Sequence, residues 1–215
     1  PNHPSSVSPS SVLPGSAKES RPSPIISLPP LPGGFVGRAR EQVEILRLLS
    51  DDACRLLTLI GPGGIGKTWL ATHAVHAWLE QVAPQVADGV YFVSLAEAEA
   101  NGMGSIVEQI VQPIANALAL TFSTQTSLLE QLSAYLVSKQ LLLVMDNFEP
   151  LIEGAFVISE LLNAAPQLRI LVTSRERLNL QEEWLLELTG LDFPEDEDVS
   201  VDASWLASSV THHSA

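Results

Sequence analysis

Apolar residues along this chain gather into short runs, and between the runs they recur at helical spacing. Leu56-Leu57-Thr58-Leu59-Ile60, Val90-Tyr91-Phe92-Val93-Ser94-Leu95, Leu141-Leu142-Leu143-Val144-Met145 and Arg169-Ile170-Leu171-Val172-Thr173 read as buried strands, with Trp184–Leu188 a candidate fifth. A helix reaches to about Ser50, with Val43, Ile45, Leu46 and Leu49 approximating one face. The next, about Lys67–Gln81, packs Leu70, Ala74 and Trp78 at a spacing of four. Ile106, Ile110 and Ile114 mark a helix that Pro113 should kink. Leu128, Leu132 and Leu136 mark another, and Leu151, Ala155, Ile158 and Leu162 a last one. Mostly apolar strands alternating with helices predict a parallel sheet covered on both faces, an α/β/α sandwich. Ligands in such sheets sit at the carboxyl ends of the strands. Gly61, Asp146 and Ser174-Arg175 all fall there.

The flanks differ in composition. Residues 1–34 are rich in Pro and Ser and read as a semi-extended linker. Residues 35–194 hold the alternating pattern, and 195–215 form an acidic, then polar, tail expected to be disordered. The chain begins with Pro, so its natural start is expected upstream.

Charge narrows the functions open to it. The formal net charge is −14, Lys and Arg total 11, and neither occurs after Arg177. Holding a nucleic acid requires clustered cations to neutralise phosphates, so direct nucleic-acid or anionic-membrane binding by this segment is not expected. The single cysteine, Cys54, can form neither an internal disulfide nor a metal cage, which suits a reducing compartment. With no signal-peptide pattern and no apolar stretch near the ~18 residues needed to span a bilayer, the expected location is the cytoplasm.

The chemistry concentrates in Gly61-Pro62-Gly63-Gly64-Ile65-Gly66-Lys67-Thr68, a G-x4-G-K-T loop between a strand and a helix. Its glycines let backbone N–H groups turn inward around phosphate oxygens, and the helix N-terminus adds a positive dipole end. Lys67 should reach the β- and γ-phosphates, and the Thr68 hydroxyl should ligate Mg²⁺. Asp146, ending an apolar strand, is the candidate metal-site carboxylate, acting through water. The residue after it is Asn147, a neutral amide where a fast ATPase would carry a water-activating acid. Glu149 is then the remaining candidate base, and hydrolysis a weaker inference than binding. Arg175, at the end of another strand, could distinguish ATP from ADP because a guanidinium pairs bidentately with phosphoryl oxygens. A guanine-reading Asn/Thr-Lys-x-Asp element is missing, since none of Lys18, Lys67 and Lys139 has Asp two residues on. Adenine is favoured. His73 and His76, three apart on a helix, read as part of a solvated face with Thr72 and Glu80.

Phe35-Val36-Gly37-Arg38, Gly61–Thr68, Leu142-Leu143-Val144-Met145-Asp146-Asn147-Phe148-Glu149 and Leu171-Val172-Thr173-Ser174-Arg175, in this order and spacing, resemble the core of bacterial STAND-class P-loop NTPases, the AP-ATPase or NB-ARC-like group. The resemblance covers about Phe35 to Pro194. It implies the additional-strand P-loop fold, with a five-stranded, mainly parallel sheet. The strand leading to Arg175 should lie between those leading to Lys67 and Asp146. It also implies that Phe35, Val36, Gly37 and Arg38 border the adenine, while Gly61, Pro62, Gly63, Gly64, Ile65, Gly66, Lys67, Thr68 and the adjoining Trp69 hold the nucleotide. Arg175 would be the γ-phosphate sensor. Members often carry an acid where this chain has Ala39, and they continue into a helical subdomain, a winged helix and repeats, whereas this sequence stops soon after Gly190–Pro194. The expected protein is an ATP/ADP switch module, with Mg²⁺ and weak ATPase activity at most. Its partners would be an upstream effector and downstream sensor domains, and the full-length protein would oligomerise with nucleotide. A non-hydrolysing scaffold is the alternative. A small-molecule kinase is disfavoured because it needs a lid supplying arginines.

Overall fold

Strands that are apolar on both faces must be covered on both, and the chain divides its helices to do so. The computed structural model describes residues 25–31, 37–82, 86–96, 104–123 and 126–190. In chain order the elements are β1 (Ile26–Ser27), α1 (Ala39–Ser50), β2 (Leu56–Ile60), α2 (Lys67–Val82), β3 (Gly89–Ser94), α3 (Ile106–Ala117) and α4 (Leu128–Leu136). There follow β4 (Leu141–Asp146), a 3-10 segment (Glu149–Gly154), α5 (Phe156–Ala164), β5 (Arg169–Ser174) and β6 (Glu183–Glu187). The sheet order is β1-β3-β4-β5-β2-β6, with every pairing parallel. β5 therefore lies between β2 and β4, the arrangement the resemblance implies.

Alternation along the strands makes the three layers. Leu57, Leu59, Val90, Leu142, Val144 and Leu171 pack with Ile45, Leu49, Leu70, Ala74 and Trp78 of α1 and α2. Their neighbours Leu56, Tyr91, Val93, Leu143, Met145, Ile170 and Val172 pack with Ile110, Ile114, Leu132, Leu136, Ile158 and Leu162 of α3, α4 and α5. Ser105 begins α3 with a capping box, its hydroxyl accepting from Glu108 N–H while the Glu108 carboxylate accepts from Ser105 N–H at 2.7 Å. The helix runs on as one element past Pro113.

Three expectations need correction. The sheet has six strands among the described residues, not five. The added one, β1, comes from the segment read as linker: Ile26 and Ser27 pair with Val90 and Tyr91, and Val90 N–H donates to Ile25 O at 2.8 Å. Two residues carry no readable alternation, and the surrounding prolines masked them. The expected single helix after Asp146 is a 3-10 segment followed by α5. Gly154 there packs directly on α3, since a Cβ would lie 2.5 Å from Ile110 Cδ1 and 2.8 Å from Ile106 Cγ1. The supposedly solvated face of α2 is partly covered: Thr72 is buried, the His73 ring lies 4.1 Å from that of Trp69, and His76 Nε2 sits 3.4 Å from Pro29 O.

The amino ends of the strands are tied by side chains remote from the glycine loop. Arg169 at the start of β5 donates through Nη1 to the carbonyls of Leu49, Asp51 and Cys54, at 3.2, 2.7 and 3.1 Å, gathering the end of α1 and the turn after it.

Candidate functional site

The loop from β2 into α2 turns at Gly64 (φ 76°) and Gly66 (φ 92°), left-handed conformations that a side chain resists. Among the described residues a Cβ at either would meet nothing within 4 Å, so the loop presents bare backbone there. Gly61 is enclosed instead. Its N–H donates to Ser174 O at 3.3 Å, and a Cβ would lie 2.8 Å from Leu188 O. Lys67 is buried, and its Nζ donates to Gly61 O at 2.8 Å and Pro62 O at 3.1 Å. Burial lowers its pKa; Glu149 opposes that shift, Arg175 adds to it and Asp146 opposes it.

One oxygen joins the glycine loop to the sheet. Asp146 Oδ1 accepts from the Thr68 hydroxyl at 2.6 Å and from the Thr173 hydroxyl at 2.6 Å. Thr173 Oγ1 in turn accepts from Asn147 N–H at 3.1 Å. Thr173 is buried and Thr68 is exposed, so two bonds of equal length have different surroundings. Asn147 takes a left-handed turn (φ 64°), after which Phe148 is fully buried with its N–H donating to Thr173 O at 3.0 Å. That turn aims Glu149 inward. Its side chain is 15% exposed and its Oε1 lies 2.9 Å from Arg175 Nε, whereas the Arg175 side chain is 61% exposed. Glu149 Oε2 is buried without a hydrogen-bond partner among the described residues. A Cβ at Gly63 would lie 3.1 Å from Arg175 Nη2, so the guanidinium rests against the glycine loop.

The Gly37-Arg38 pair begins α1. Gly37 (φ 85°) and Arg38 (φ 58°) are both left-handed, and Arg38 is the helix N-cap residue. Its guanidinium pairs with Glu41 at 2.9 Å and donates to Thr189 O at 2.8 Å. Phe35 and Val36 lie outside the described residues. Trp69 and Ile65 flank the loop half-buried, Ile65 packing toward the α1–α2 core.

Lys67, Thr68, Asp146, Glu149 and Arg175 are thus brought to one edge of the sheet. The donor chemistry fits the expected ligand: an ammonium, a helix N-terminus and bare loop backbone for phosphates, and a carboxylate beside a hydroxyl for a hard divalent cation. Three contributors escaped the sequence reading. Thr173 shares strand parity with Arg175, a signal that could have pointed it at the site. Leu188 and Thr189 follow a strand edge with no motif of their own, and only the fold brings them against Gly61 and Arg38.

A parallel sheet with this strand order, a glycine loop feeding a helix at Lys67-Thr68, and a strand-end Asp bonded to that Thr define a P-loop NTPase domain. A family model described as the NACHT domain matches residues 55–201, more than half of the chain. The chain belongs to the NACHT family of STAND-class, nucleotide-binding ATPase-type domains.

A Mycobacterium tuberculosis chain named for HTH-type transcriptional regulation is 35% identical over 127 residues, which are 59% of this chain and 13% of the relative. A second M. tuberculosis protein, described as uncharacterized, is 34% identical over 163 residues, 75% of this chain and 38% of the relative. The chain therefore spans much less than half the length of either relative. Among solved structures, the Aeropyrum pernix ORC2 protein, in ADPNP–ADP complexes, aligns with a TM-score of 0.50 at 20% identity, covering 73% of this chain and 49% of that one. A Pyrococcus horikoshii STAND protein with a tetratricopeptide repeat sensor aligns at a TM-score of 0.45 and 19% identity, covering 76% and 24%. Among the described residues no helix is long and apolar enough to cross a membrane.

Proposed function

We propose that this domain is an ATP/ADP-binding regulatory switch, with slow Mg²⁺-dependent hydrolysis, within a larger signal-transduction or transcription-regulating protein. The observation that carries this reading is the position of Arg175: its guanidinium rests against Gly63 of the glycine loop, on the edge that also holds Thr68 and Asp146. An exposed cation beside the phosphate loop can respond to the presence of a third phosphoryl group, because guanidinium pairs with phosphoryl oxygens bidentately. Lys67 and the loop N–H groups would hold the phosphates. Thr68 and Asp146 would hold Mg²⁺, and Gly37 and Arg38, with Phe35 and Val36, would border the adenine. Bound Mg²⁺–ATP supplies the phosphoanhydride that is cleaved.

Slow turnover follows from the residues present. Asn147 cannot accept a proton at neutral pH, and Glu149 is tied to Arg175. Within these 215 residues neither Lys nor Arg follows Arg177, so the purified segment supplies no second cation from that part of its sequence, a contribution worth about 10³–10⁵ in rate where it exists. Single-turnover hydrolysis by the purified chain should run well below ~1 s⁻¹, the low end of ordinary enzyme turnover. Many turnovers per second, abolished by Glu149→Gln, would make it a working ATPase instead. The tie between Glu149 and Arg175 also favours a second reading, a non-hydrolysing nucleotide-binding scaffold, which any single-turnover product would exclude. The mycobacterial relative named for HTH-type transcriptional regulation, of which the match covers 13%, supports a place in a larger transcription-regulating protein. An upstream effector, downstream sensor domains and a nucleotide-dependent oligomer are the partners such a switch requires.

A further inference from the structure

Arg175 and Glu149 form an ion pair whose two members are held very differently. Glu149 is anchored: Asn147 turns the chain, Phe148 is fully buried, and the 3-10 segment begins at Glu149 itself. Arg175 stands on an exposed arm beyond the end of β5. If the pair opens, the arginine moves and the acid stays. The acid has reason to hold its partner, since Oε2 is buried without a hydrogen bond among the described residues and its charge is compensated from the side of Arg175 and Lys67.

We propose that Glu149 is a gate on Arg175: it retains the guanidinium against Gly63 and must release it before Arg175 can engage a triphosphate. The pair thereby sets the preference between ATP and ADP. This rests on the reading of the site as an ATP/ADP switch. The gate biases the equilibrium and does not lock it, because the pair is more than half exposed on the arginine side and such pairs are weak. Glu149 thus acts through Arg175 as a positioning residue, whatever its part in hydrolysis.

Removing a carboxylate near phosphates favours any polyphosphate, so the diagnostic is coupling between the two positions. Mg²⁺–ADP and a non-hydrolysable Mg²⁺–ATP analogue would be titrated calorimetrically into the wild-type chain, Glu149→Gln, Arg175→Ala and the double variant. Glu149→Gln should raise the ATP-analogue/ADP affinity ratio about two- to fivefold with Arg175 present, the range of a partly exposed ion pair. It should leave that ratio unchanged when residue 175 is Ala. An equal change in both backgrounds would overturn the gate. A second readout needs no variant at position 149. The Arg175 Nε–H resonance, assigned by its loss in Arg175→Ala, should be protected from solvent exchange in the nucleotide-free wild type. It should stay so with ADP and shift with the ATP analogue. A wild type that binds both nucleotides with that resonance unmoved overturns the gate alone. A wild type that binds neither overturns the nucleotide reading itself and the gate with it.

Discussion

Replacing Thr173 with Val should destabilise the nucleotide-free domain by about 2–4 kcal/mol. The substitution keeps the branched shape and exchanges the hydroxyl for a methyl. That hydroxyl donates to Asp146 Oδ1 at 2.6 Å and accepts from Asn147 N–H at 3.1 Å, at a residue 1% exposed. A hydrogen bond to a charged group is worth about 1.5–3 kcal/mol, and the partly buried Asn147 N–H left without its acceptor adds a share of the about 1–3 kcal/mol that a fully buried unpaired donor costs. The carboxylate keeps its Thr68 bond, so the two costs do not add in full. Thr68→Val removes a bond of the same length to the same oxygen, but at an exposed residue where water replaces it, and should cost under about 1 kcal/mol. Urea denaturation with an unchanged m-value gives both numbers directly. A loss below about 0.5 kcal/mol for Thr173→Val, or equal losses for the two variants, would refute the claim that Thr173 braces the Asp146 carboxylate.

Two further outcomes follow from the opposite end of the sheet. Arg169→Met keeps the aliphatic stem but abandons the carbonyls of Leu49, Asp51 and Cys54, and should cost about 2–3 kcal/mol by the same denaturation assay while leaving nucleotide affinity unchanged. Burial raises the Cys54 thiol from 9.0 to about 11, so the folded state holds this proton more tightly than the unfolded one. Its contribution to stability is complete below pH 9.0 and is lost as pH rises toward about 11, which a pH series of unfolding free energies would detect.

Much of this fold was legible because its signals are long. Leu141–Met145 is an unbroken apolar run and Leu56–Ile60 is interrupted only by Thr58, and both are buried strands of a parallel sheet. Leu70, Ala74 and Trp78 at a spacing of four are the buried face of α2. What failed was short or depended on distant partners. β1 is two residues among prolines, stabilised by pairing with Val90 and Tyr91 some sixty residues later. Thr72 read as solvated from its polarity, yet it is buried with its hydroxyl donating to Thr68 O at 2.8 Å. At the site, Lys67, Thr68, Asp146 and Arg175 stood out because glycine spacing and strand ends mark them. The pairing of Arg175 with Glu149, rather than with its neighbour Glu176, depends on the turn at Asn147, which no local pattern announces.

The central claim is that this domain binds a nucleotide through Lys67, and calorimetric titration of the 215-residue chain with Mg²⁺–ATP and Mg²⁺–ADP tests it most directly. Lys67→Ala deletes the ammonium while leaving the loop N–H groups in place. The expected result is binding by the wild type and a loss of about 2–4 kcal/mol in the variant, roughly 30- to 1,000-fold in affinity, the scale for truncating one partner of a desolvated charge pair. Equal ATP affinity in the wild type and Lys67→Ala would contradict it.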